Sequence, residues 1–300
     1  MQLPSNPVVD AVRNRIASTT RTLLGGDEAP PLAVNGDEGW FGPDSSVWVV
    51  HSDLAMLIGG VRALMQQTLH PLAMTGVARH SDYRRDPWGR LHRTGLFLAA
   101  TTFGTTAEAE AAVRRVRGVH NRVNGVADDG RAYSANDPEL LRWVHICEVQ
   151  SFLETHQRYG QHRLTADGED RYVSEMARVG EALGCTDLPR TVSELSDAFD
   201  TYTDLAATPQ AHDVVRFLLW PPLPFAARAP YGVLVAAAIE SLPTWAQQKL
   251  RLPVVPVLTP VLVRPSAMAL TLVLRWSLGT SPAKEIAVKR TSATANDATP

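Results

Sequence analysis

The sequence predicts an all-α protein, and three observations predict it. Apolar residues recur at helical spacing along most of the chain. Helix start and stop signals punctuate those stretches, and no run of alternating β-branched residues, internal repeat or Gly-rich phosphate loop interrupts them. Hydrophobic residues at 45% against 20% charged supply enough apolar surface for a sizeable core. A net charge of -2 leaves no basic footprint, which excludes nucleic acid as a partner.

Residues 6–24 read as a short amphipathic helix, followed by a Gly/Pro-rich loop through Pro43. An apolar helix runs from about Asp53 to Leu69 with Gly59 and Gly60 in its middle. Interior glycines cost roughly 1 kcal/mol each relative to Ala, so they imply close approach by another backbone or a flat ligand. His70-Pro71 restarts a helix with Pro at its first position. Ser81 to Gly89 is a polar loop, and Arg90 to Phe103 is a buried helix stopped by Gly104. Thr105 and Glu108 form a capping box that opens the next helix, expected to end at Gly125. Asn136-Asp137-Pro138 opens a long helix carrying Trp143, His145, Cys147 and Phe152. Two more helices follow at about 168–183 and 191–205. Beyond 206, apolar helical pieces are divided by Pro221, Pro222, Pro224, Pro230, Pro243 and Pro253.

The remaining composition bounds the setting. Cys147 and Cys185 stand in no CxxC or zinc spacing, which argues against a disulfide scaffold or structural zinc and fits a reducing cytoplasm. The N-terminal stretch lacks the basic-then-apolar pattern of a signal peptide. The apolar run Leu252 to Val263 is cut by three prolines, so no membrane-spanning helix is expected, while peripheral contact with lipid stays open there.

Histidines and arginines carry the candidate chemistry. His120 falls on a stripe with Val113, Val116, Val119 and Val123, which places its imidazole toward the core. A neutral imidazole there needs a carbonyl partner or a metal, and axial ligation of a haem iron is the sharper of the two readings. Arg90, Arg93 and Thr94 share one helix face ahead of the apolar stretch 95–100. They are read either as a solvated helix start or as partners for an anion and for oxygen or water over a metal. His145 and His70 are candidates for orienting such a site, against an equally available structural role. His156 and His162, set among charged residues, read as surface. Trp40, Trp48, Trp88 and Trp143 read as core or loop anchors.

Several of these pieces stand in a fixed order: Phe41-Gly42-Pro43, Gln66-Gln67-Thr68-Leu69-His70-Pro71, His80-Ser81-Asp82, Arg90-x-x-Arg93-Thr94, Phe103-Gly104, His120-x-x-Val123-x-Gly125, Tyr133-x-Ala135-x-Asp137-Pro138 and Trp143-Val144-His145. In this order the chain resembles the family formerly called DUF2236, the MpaB/rubber-oxygenase (latex clearing protein) catalytic domain, over roughly residues 40–240. The resemblance implies a single helical domain with a globin-like core holding haem b. It also implies an oxidoreductase that acts with O2 on a small hydrophobic, isoprenoid- or lipid-like substrate and draws on an unknown redox partner. By position it makes His120 the iron ligand, Arg90 and Thr94 distal residues, Arg93 the counterpart of a lysine near the iron, and His145 a further haem-supporting histidine. The family's catalytic glutamate falls here at Met74. Two other readings remain: a haem protein of peroxidase-like or sensor type, and a cofactor-free helical protein binding lipid through 225–275. Around the catalytic unit, 1–39 reads as a helix and loop, 241–280 as a helical extension and 281–300 as a disordered tail.

Overall fold

The computed structural model describes residues 7–24, 32–252 and 259–297. The fold is all-α, as predicted, with fourteen helices among the described residues and one two-stranded ribbon. The helices are α1 (Pro7–Leu24), α2 (Ser46–His51), α3 (Met56–Gln67), α4 (Pro71–His80), α5 (Pro87–Phe103), α6 (Thr106–His120) and α7 (Pro138–Tyr159). They continue as α8 (Ala166–Leu183), α9 (Val192–Asp200), α10 (Pro209–Leu219), α11 (Phe225–Ser241), α12 (Thr244–Lys249), α13 (Arg264–Leu278) and α14 (Pro282–Asp297). Strands β1 (Asn124–Val126) and β2 (Ala132–Ser134) pair antiparallel, with Gly125 opposite Tyr133.

The centre is α7 lying along α3. Gly59 makes that approach close, because a β-carbon there would sit 2.7 Å from the Phe152 ring and 3.2 Å from the Phe152 Cα. The expectation of a backbone pressed against these glycines holds for Gly59, whereas Gly60 faces open space. Trp48, Trp143, Phe152, Tyr172 and Phe199 fill the main core around this pair. Trp48 also ties down the C-terminal end of α5, donating from Nε1 to the Phe41 and Thr102 carbonyls at 2.9 and 3.0 Å.

Helix α5 turns sharply into α6. Both halves of the Thr105/Glu108 capping box are made, and Glu108 also accepts the Ala33 amide at 2.7 Å. Farther along, α6 stops at His120 rather than running to Gly125. Gly125 belongs to β1 instead, where a β-carbon would meet the Tyr133 hydroxyl at 2.9 Å.

The helix expected from about Asp53 to Leu69 forms as α3, and a further short helix, α2, precedes it, with Asp53 accepting the Ala55 amide between the two. Two further sequence expectations are corrected. Pro230 does not divide α11 but lies inside it. The tail expected to be disordered from 281 forms α14 through Asp297. Its order comes from Ala283 and Ala287, buried against the core, and from Arg290 donating to the Ala33 and Phe103 carbonyls. Val261–Leu278 has the length and composition of a membrane span, with 22% of it buried, but a single helix that meets this test does not overturn the expectation of no span. The prolines that argued against a span precede this helix or stand at its start, and residues 253–258 among them lie outside the described part.

Candidate functional site

His120 is the last residue of α6, and burial holds its imidazole neutral by pulling the pKa down. Its Nδ1 is buried with no hydrogen-bond partner. A buried nitrogen without a partner costs about 1–3 kcal/mol unless something binds it. The valine groove expected around it is only partly closed, with Val113 buried, Val116 and Val123 half-buried and Val119 exposed.

Arg90 stands at the same end of the α5/α6 hairpin. Both residues lie about 14 positions from the turn, or roughly 21 Å at 1.5 Å per residue. The sequence motifs converge there. Arg90 donates to the Ser81 hydroxyl at 3.0 Å, the adjacent His80 Nε2 bonds the Tyr133 hydroxyl at 3.0 Å, and Tyr133 presses on Gly125, five residues beyond His120. The Arg90 guanidinium has no carboxylate partner among the described residues. Burial first, and then repulsion from Arg93, pulls its pKa down, as expected of a cation short of an anion. An open cleft of about 580 Å³, lined by His80, Ser81, Tyr83 and Asp213, adjoins this end; His120 is not in its wall.

The other candidates each have partners of their own. Arg93 is exposed and ion-paired with Asp86 at 3.2 Å, the residue that also caps α5. Thr94 is exposed and donates its hydroxyl to the Arg90 carbonyl at 3.1 Å. His70 caps α4 through Nδ1 and packs between the rings of Trp143 and Tyr202, with its pKa lowered chiefly by burial. His145 is buried toward α8, where a β-carbon on Gly180 would come 3.1 Å from its ring, and burial pushes its pKa down to about 4. Met74 is packed with Ala211 and Val214 in an apolar cluster, so the family's glutamate position holds no acid.

Sequence reading missed a second polar cluster. His51 bonds the Thr102 hydroxyl at 2.8 Å and the Tyr172 hydroxyl at 3.2 Å, and burial pushes its pKa down to about 3. Glu148 on α7 lies near enough to Tyr172 to push the phenol's pKa up beyond what burial does, and burial raises its own to about 7. The available signal was an acid inside the stripe Leu141, Val144, Glu148 and Phe152. His156 is a plain correction. It is 1% exposed, with an unpartnered Nδ1, because the period of α7 turns it inward despite its charged neighbours.

No group of three or more His, Cys, Asp or Glu side chains among the described residues is arranged to hold a metal ion. A metal held through His120 would therefore need a macrocycle to supply most of its ligands, and the unpartnered imidazole with the acid-free Arg90 at the same end fits a haem with its propionates. Residues 48–276 match the family model described as "ER-bound oxygenase mpaB/B'/Rubber oxygenase, catalytic domain". The match runs past residue 240 into the segment that sequence reading set apart as an extension. Two uncharacterized proteins, one from Mycobacterium bovis and one from Mycobacterium tuberculosis, are each 32% identical over 73 residues. That stretch is 24% of this chain and spans 29% of each relative's length. No solved structure matches the chain significantly.

Proposed function

Because the chain belongs to the mpaB/rubber oxygenase catalytic-domain family, we propose that it is a haem-b-dependent oxygenase acting with O2 on a hydrophobic, isoprenoid- or lipid-like substrate. The observation that carries the haem assignment is the buried, unpartnered nitrogen of His120. When bound, the haem supplies O2 activation, and the protein sets ligation, polarity and access. In this reading His120 binds the iron as a neutral imidazole, a state that its lowered pKa maintains at neutral pH. Arg90 holds a propionate or a substrate carboxylate, and Ser81 fixes the guanidinium for it. Thr94 keeps its oxygen lone pairs free to accept a hydrogen bond, because its proton is committed to the Arg90 carbonyl. Arg93 joins the site by leaving Asp86, an exchange available to an exposed pair worth little in water. His145 and His70 support the helices that carry the site, and the surrounding core is proposed to be globin-like. The two buried thiols suit a cytoplasmic setting.

Haem reconstitution followed by absorption spectroscopy tests the proposal. The wild type should show a Soret band, and His120→Ala should lose or shift it while its circular dichroism stays unchanged. No Soret band, or an identical one in the variant, ends the assignment. Met74 favours a second reading, a peroxidase-like or sensor haem protein, because its apolar cluster leaves no carboxylate to act there. Oxygen uptake with alkene substrates against peroxide-dependent dye oxidation separates the two.

A further inference from the structure

We infer that α13, flanked by α1, is a docking face for an anionic lipid bilayer, on which the protein lies without spanning it. The helix leaves Met268, Leu272, Val273 and Trp276 exposed, with Leu272 at 65%, and Val261 and Leu262 in the turn leading into it are exposed too. Soluble proteins rarely expose so contiguous an apolar stripe without a partner for it. Its inner side, Ala267, Thr271, Leu274 and Ser277, is packed against the protein.

The charges say what that partner is. Residues 259–281 contain no acid, and the two arginines of α13 are drawn back to the protein. Arg264 pairs with Glu240 at 2.7 Å, and Arg275 pairs with Asp53 at 2.6 Å and donates to the Tyr159 carbonyl at 2.8 Å. The outward stripe is thereby free of unneutralised charge. Helix α1 packs beside α13 and exposes Val8, Val9 and Val12, and Arg13 and Arg15 follow within a turn. An apolar stripe beside a helix whose Arg13 and Arg15 are exposed while its acid, Asp10, is half-buried suits acyl chains beneath anionic headgroups, and Trp276 near the helix end suits the interface. The inward Arg275–Asp53 pair argues against a spanning helix, since a span would have to pull that pair apart or carry it into hydrocarbon.

Co-sedimentation of the full chain with vesicles tests the inference. Binding is expected to phosphatidylcholine vesicles containing phosphatidylserine, to weaken with salt and in the Arg13→Gln/Arg15→Gln variant, and to be reversed by carbonate washing. Leu272→Asp should lower the partition coefficient roughly tenfold or more, since burying one leucine is worth about 1.5–3 kcal/mol. Trp276→Ser should act in the same direction, and a melting curve like the wild type's shows that both variants fold. Four outcomes overturn the inference: no vesicle binding, binding equal in wild type and variants, resistance to carbonate, and a soluble dimer that Leu272→Asp makes monomeric without any vesicle binding.

Discussion

Glu148 and His145 lie one turn apart on α7, and burial pushes them in opposite directions, the acid up to about 7 and the imidazole down to about 4. His145 is therefore neutral at neutral pH, while Glu148 is neutral in mildly acid solution and ionises near pH 7. For Glu148 the folded pKa exceeds the ordinary carboxylate value of 4.5, so the folded chain binds the extra proton between pH 4.5 and about 7. The stability that goes with this proton is complete below pH 4.5 and is lost as pH rises through about 7. Glu148→Gln should therefore be more stable than the wild type at pH 8 by about 1–3 kcal/mol and should lose that advantage toward pH 4.5. Urea midpoints at the two pH values measure it, and a pH-independent difference would show that the carboxyl is not held neutral. Individual residues were legible in part. His120 stood out as an imidazole among valines, but the partner it lacks, and the Ser81 that Arg90 finds, are properties of the folded neighbourhood.

At the scale of elements, the paired glycines of α3 separate packing from propensity. A β-carbon at Gly59 would enter the space of the Phe152 ring and the Thr155 hydroxyl, both at 2.7 Å, with the Phe152 backbone behind them. The same carbon at Gly60 would meet nothing within 4 Å. Gly59→Ala should destabilise by about 1–3 kcal/mol through overpacking. Gly60→Ala should stabilise by about 0.5–1 kcal/mol through lower backbone entropy in the unfolded chain. Thermal melts of the two variants moving the same way would refute this account of the α3/α7 contact. Elements with strong local signals were legible: the capping box at Thr105, Asp137-Pro138 at α7 and Thr191 at α9 each open a helix close to where expected. Elements fixed by distant partners were not. The three-residue strands are too short to show alternation, and α14 depends on Arg290 reaching carbonyls 187 and 257 residues away.

Across the whole molecule, an ion pair joins α13 to the turn between α2 and α3. Asp53 accepts from Arg275, 222 residues distant, and its oxygens also take the Ala55 and Gln161 amides at 2.8 and 3.0 Å. Burial alone would raise the Asp53 pKa, but the Arg275 hydrogen bond and the two amides together hold it below the usual carboxylate range. With its folded pKa depressed, Asp53 contributes stability that is present above pH 3.8 and lost as pH falls through the folded value. Removing one charge strands the other: Arg275 is 19% exposed at its side chain and Asp53 9%. Asp53→Asn should cost about 3–5 kcal/mol. Substituting both, as Asp53→Asn with Arg275→Met, should recover part of that loss, because the uncompensated cation is gone. Recovery should stay incomplete, since an amide side chain has one acceptor oxygen for the two backbone amides that the carboxylate served with two. Hydrogen exchange across 264–278 should quicken in the single variant and slow again in the double one. If exchange there is unchanged while global stability falls, Asp53 organises the turn between α2 and α3 and does not anchor α13.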